Sequence, residues 1–99
     1  MATEKIRVGD VGVRIIVDAG LEVASASELR IYYEKPSGVS GYWDAQEISE
    51  NSNYIEHVTT AGEIDESGEW RIQSWAQFPT WYGSGTPTVL RVGENIYSN

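Results

Sequence analysis

The chain has 99 residues, 15 acidic and 7 basic, for a formal net charge of −8, with 40% hydrophobic residues including 4 Trp and 6 Tyr and no cysteine. That supports one globular domain spanning 1–99, with a core over about 5–92 and a short tail at 93–99, and it excludes a disulfide framework, a thiol nucleophile and a cysteine zinc site. The acidity disfavours phosphate backbones, so no nucleic-acid partner is expected; with no run of transmembrane length and a charged start, "MATEKIRVGD", in place of a signal-peptide core, a soluble protein made in a cytoplasm is expected, with no membrane partner.

Taken in chain order, the dominant signal is alternation of period two. A short first strand falls near Lys5 to Val8. "VGVRIIV" then sets Val11, Val13, Ile15 and Val17 on one face, against Gly12, Arg14 and Ile16. A helix-like stretch at Ala24 to Leu29 is too short to matter. "ELRIYYE" sets Leu29, Ile31 and Tyr33 inward and Glu28, Arg30, Tyr32 and Glu34 outward. "YWDAQEI" alternates Trp43 and Ala45 with Tyr42, Asp44 and Gln46, whereas "NYIEHVTT" is strand-like without a clear inward face. "EWRIQSWAQF" puts Trp70, Ile72, Ser74, Ala76 and Phe78 against Arg71, Gln73, Trp75 and Gln77, and "PTVLRVG" offers Leu90 and Val92 against Val89 and Arg91. Runs rich in Gly, Pro, Asn, Asp and Ser separate these strands, among them "KPSGVSG", "ENSN", "TAGEIDESG" and "FPTWYGSG". About seven short strands with regular turns predict an all-β, immunoglobulin-like antiparallel β-sandwich.

The stretch "ESGEW", Glu66 to Trp70, resembles the corner that enters strand F of an immunoglobulin-type domain. Gly68 permits the tight turn, and Trp70 stands where that corner usually carries Tyr. Without a hydroxyl the tyrosine-corner bond cannot form as such, which leaves the indole N–H to find another carbonyl. The wider order is a charged start with "GD-G", an alternating Val/Ile strand, "KPSG", "W-A", "YIEHVTTAGEIDESGEWRIQ" and a Trp-Gly hairpin. Over roughly residues 5 to 92 it resembles the small immunoglobulin-like virion proteins of tailed bacteriophages, similar to the N-terminal domain of baseplate upper proteins. The resemblance implies a virion component, with other virion proteins as partners, and supplies no catalytic residues.

Few residues here suggest chemistry. His57, the sole histidine, lies between Glu56 and Val58 in a strand and reads as a sheet-surface histidine rather than a base or a pH switch. The carboxylates Glu63, Asp65, Glu66 and Glu69 could attract a hard cation, but their spacing is not that of an EF-hand loop. A solvated acidic turn, with Asp65 or Ser67 capping local amides, is the expected state. The glycines of "GDVG" and "YGSGTP" precede strands rather than helix N-termini, so they are turns and not phosphate cradles. No catalytic residue, metal or cofactor is expected, and the protein is read as a non-enzyme.

The outward aromatics are the informative feature. Strands C and F are neighbours in an immunoglobulin sheet, so Tyr32 and Trp75 share an outer face, surrounded by Arg30, Arg71, Gln73 and Gln77. Aromatic residues and Arg are the types enriched at protein interfaces. Trp81 and Tyr82, at the tip of the last hairpin, either form a second contact or, for Trp81, plug the end of the sandwich. Ile16 and Val89 add outward apolar surface elsewhere. The expectation is a structural subunit of a tailed-phage virion, in the tail, baseplate or fibre attachment, assembled in the host cytoplasm and open to self-association. The alternatives are a capsid decoration protein and a carbohydrate-binding module that takes a glycan.

Overall fold

In the computed structural model, which describes residues 6–48 and 51–94, the alternating runs become nine strands. They are β1 (Ile6–Arg7), β2 (Arg14–Asp18), β3 (Glu28–Glu34), β4 (Ser40–Asp44), β5 (Gln46–Ile48), β6 (Asn51–Val58), β7 (Gly68–Gln77), β8 (Tyr82–Ser84) and β9 (Thr88–Gly93). The larger sheet has the order β1-β9-β7-β3-β4, with β8 paired to β7, and the smaller sheet has the order β2-β6-β5. The fold is all-β and sandwich-like; in the lettering of an immunoglobulin sandwich its smaller sheet would read B-E-D and its larger sheet G-F-C.

Two features refine the expected count of seven antiparallel strands. The run from Trp43 to Ile48 is not one strand: β4 pairs with β3 in one sheet and β5 pairs with β6 in the other. The chain changes sheets at Ala45, whose amide still donates to Leu29 O at 3.1 Å. The second feature is β7, ten residues long, which pairs with β3 along one edge and divides the other edge between two partners. Its first half pairs with β9 and its second half with β8. Pairing is also not uniformly antiparallel, because β1 runs parallel to β9 through Ile6↔Val92 and Arg7↔Gly93.

Burial follows the alternation along β7. Trp70, Ile72, Ser74, Ala76 and Phe78 are buried, and Ile15, Val17, Ile31, Trp43 and Val92 join them. Leu29, Tyr33, Ala45 and Leu90 pack against this core. The inward side of β6, unreadable from sequence, is set by Ile55, with Thr59 buried just beyond the strand end.

Four local expectations change. Val11 is 61% exposed because β2 begins only at Arg14. Gly12 at φ 80° breaks the alternation, and Thr59 takes both the Gly12 amide, on its carbonyl, and the Val13 amide, on its hydroxyl. The helix-like stretch at 24–29 is a turn, in which the Ala26 amide meets Val23 O, running into β3. Of the predicted turn "ENSN", Glu50 lies outside the described residues and Asn51 to Asn53 begin β6. Lys5 and the tail beyond Glu94 also lie outside the described residues, while Gly93, expected in that tail, closes β9.

Candidate functional site

The larger sheet carries one aromatic cluster on each face, and the inner one explains the corner. Gly68 sits at φ 123°, a left-handed conformation that strains any residue with a side chain. A Cβ there would also meet Pro36 Cγ at 2.9 Å, because the "KPSG" turn folds over the corner. Two residues on, Trp70 is fully buried, and its indole N–H donates to Glu66 O at 3.0 Å. The indole nitrogen thus bonds back to the main chain four residues upstream, the kind of local bond that a hydroxyl makes in a tyrosine corner. Trp70 packs against Tyr33 and Trp43 at ring separations of 5.6 and 6.0 Å.

The acidic turn is partly solvated, as expected, with Asp65 and Glu69 exposed, but its carboxylates also have partners. Asp65 pairs with Lys35 at 2.9 Å, and the Lys35 ammonium lies 5.5 Å from the Trp70 ring. The hydrogen bond from Lys35 to Asp65 raises the lysine pKa despite desolvation. Glu66 accepts from both the amide and the hydroxyl of Ser37, so a carboxylate caps the neighbouring turn. Glu63 accepts from the Thr60 amide and from His57 Nε2, each at 2.8 Å. Burial pushes the Glu63 carboxyl up, but these hydrogen bonds outweigh it and hold the pKa below its ordinary value. The described residues contain no cluster of three or more metal-ligating side chains.

His57 is pinned rather than poised. Its ring stacks on Trp43 at 5.0 Å and 6°, with Nδ1 on Asp44 O and Nε2 on Glu63. Both ring nitrogens are thus engaged within the chain.

On the outer face the cross-strand register does the positioning. Arg30 pairs with Trp75 on β7 and Asp44 on β4, and Tyr32 pairs with Gln73 and Tyr42. Tyr42, Tyr32, Trp75 and Tyr82 thereby form a ladder across four strands, with successive ring centroids 5.5, 6.2 and 6.0 Å apart. The Arg30 guanidinium lies 4.2 Å from the Tyr42 ring and 4.8 Å from the Trp75 ring, between the two. It donates from Nη1 to Tyr32 Oη at 3.0 Å and from Nε to Glu28 at 2.9 Å. The bonds to Tyr32 and Glu28 raise the guanidinium pKa further.

The expected site residues therefore divide. Arg30, Tyr32, Trp75 and Tyr82 form one continuous surface. Gln73 sits beside it, and its Nε2 donates to Gly85 O at 2.8 Å, which ties the loop after β8 to the sheet. Arg71 lies off the ladder and pairs with Glu34 at 3.3 Å. It helps to line a groove of about 320 Å³ that also involves Tyr32, Glu34, Ser40, Gln73 and Pro87. Trp81 and Tyr82, expected to act together, part company. Tyr82 is 70% exposed on the outer face, while Trp81 stacks on Phe78 at 4.5 Å. That arrangement matches the end-plug option for Trp81, although its outer side is still exposed. Trp81 stands just before β8 and turns its ring toward Phe78, whereas Tyr82 opens β8 with its ring against Trp75. Tyr42 is the member sequence reasoning missed. Its outward direction was readable, but its place beside Tyr32 depends on the β3–β4 register.

No protein-family model, curated protein or solved structure matches this chain.

Proposed function

We propose that this chain is a non-enzymatic structural subunit of a tailed-phage virion, in the tail, baseplate or fibre attachment, assembled in the host cytoplasm and held through protein–protein contacts. The virion context rests on the resemblance carried by "KPSG", "ESGEW" and their order along the chain. The observation that carries the binding role is the ladder Tyr42–Tyr32–Trp75–Tyr82 with Arg30 clamped inside it. Its rings and guanidinium already pack against one another in the single chain, an arrangement that lowers the side-chain entropy lost on docking. Aromatic and Arg anchors of this kind dominate interface energetics.

The test is Trp75→Ser. Partner affinity or incorporation into particles should fall at least tenfold, while circular dichroism still reports a folded sandwich. A folded variant that assembles as well as the parent overturns the anchor role. Electron microscopy of intact particles separates a tail position from capsid decoration of the head, which the same face would serve equally well.

A carbohydrate-binding role is the second reading, favoured by the groove beside Tyr32, where Glu34, Ser40 and Arg71 supply hydrogen-bonding groups next to a ring. Titration with host polysaccharide, followed by tryptophan fluorescence, tests it. Saturable quenching supports the glycan, and a flat titration removes it.

A further inference from the structure

We infer that the open edge of β2 pairs antiparallel with the same edge of a second copy, making a two-fold dimer through the smaller sheet. This concerns an edge of the smaller sheet rather than the aromatic ladder on the larger one, and it stands independently of the proposed function.

Among the described residues β2 pairs with β6 alone, so its other side has no strand partner there, with the Thr86–Thr88 segment lying beside its Asp18 end. Thr59 N donates to Val13 O and Ala19 N donates to Asn53 O. Main-chain groups alternate sides along a strand, so Val13, Ile15, Val17 and Ala19 face β6 while Arg14, Ile16 and Asp18 direct their amides and carbonyls outward. Three consecutive outward donor–acceptor pairs form a template for another strand.

The sequence of this edge, "RIIVD", is complementary to itself. Centred on Ile16, an antiparallel pair puts Arg14 opposite the second copy's Asp18, and Asp18 opposite the second copy's Arg14. Opposite charges meet twice across the two-fold axis, and the two Ile16 side chains, each 48% exposed in the single chain, cover each other. Within its own chain Arg14 holds Glu56 through Nε, and the fork of its guanidinium offers the terminal nitrogens to the facing carboxylate.

The other edges lack this match. β1 has two residues, β8 has three, and β5 has three with a register shift at Glu47/Ile48. β4 is as long as β2, but self-pairing centred on Tyr42 would set Ser40 opposite Asp44 and bring no charges together.

Sedimentation equilibrium of the full chain tests the inference. The parent should dimerise, and Arg14→Glu and Asp18→Lys should each weaken the dimer about tenfold by setting like charges opposite one another. An equimolar mixture of the two variants should recover a dimer. In that mixed pair the introduced glutamate faces the introduced lysine, and the retained Asp18 of one chain faces the retained Arg14 of the other. Ile16→Lys, at an exposed position, should break the dimer without unfolding the chain, and Trp75→Ser should leave it intact. In the parent dimer the amides of Arg14, Ile16 and Asp18 should exchange more slowly as concentration rises. A parent that stays monomeric to about 1 mM, a mixture that does not recover the dimer, or a dimer in which those three amides stay unprotected, overturns the inference.

Discussion

Trp70 and Trp75 lie five residues apart on β7 and face opposite sides of one sheet. Each belongs to an aromatic cluster, yet the two clusters are held by different forces. Around Trp70, burial removes the rings from water, and the polar atoms are satisfied locally, the indole by Glu66 O and His57 by Asp44 O and Glu63. Around Trp75, the rings stay partly in solvent and are ordered by strand register and by the Arg30 guanidinium between them. The comparison teaches that an ordered aromatic cluster need not be a buried one. Order at the surface, where little stability is gained, is the property that a docking face requires.

The strongest way to break the comparison is to truncate each tryptophan. Trp70→Ala should cost about 3–5 kcal/mol, as expected for a large side chain lost from a packed core. Trp75→Ala should cost below about 1 kcal/mol, since exposed cation–π and ring contacts are worth little. Chemical denaturation of both variants measures the gap, and equal losses would refute the division of roles.

Gly68→Ala comes next. The backbone conformation and the approach of Pro36 both oppose a methyl group, with an expected loss of about 1–3 kcal/mol. Thermal unfolding would report it, and a variant as stable as the parent would show that the corner tolerates a side chain.

The smallest effect concerns Glu63. Its folded pKa is depressed below the reference value of 4.5, so its contribution is fully present above that pH. It is lost as pH falls through the lower folded value. Glu63→Gln should therefore cost less than about 1 kcal/mol near neutrality and flatten the acid limb of the stability curve below pH 4.5. An unchanged acid limb would show that the His57–Glu63 contact adds nothing.

Much of this molecule was legible in the residues themselves. Period-two alternation identified the inward faces of β3 and β7, because a strand has only two sides and each apolar residue must take the buried one. The Gly68 turn and the core position of Trp70 followed from local backbone and side-chain chemistry in the same way. Where alternation was weak, as in β6, the inward side emerged only with Ile55 against the second sheet.

Tertiary structure decided what distant segments do to one another. Chain change at Ala45, parallel pairing of β1 with β9, Lys35 on Asp65 and Ser37 on Glu66 all join residues well apart in sequence. The outer face shows the same limit. Sequence placed Arg30, Tyr32 and Trp75 on one side, but register alone put Tyr42 beside Tyr32 and Arg30 between two rings, and the stacking of Trp81 on Phe78 parted it from Tyr82. Alternation is a local property of a strand, whereas register is a relation between strands, fixed only when their buried faces pack together.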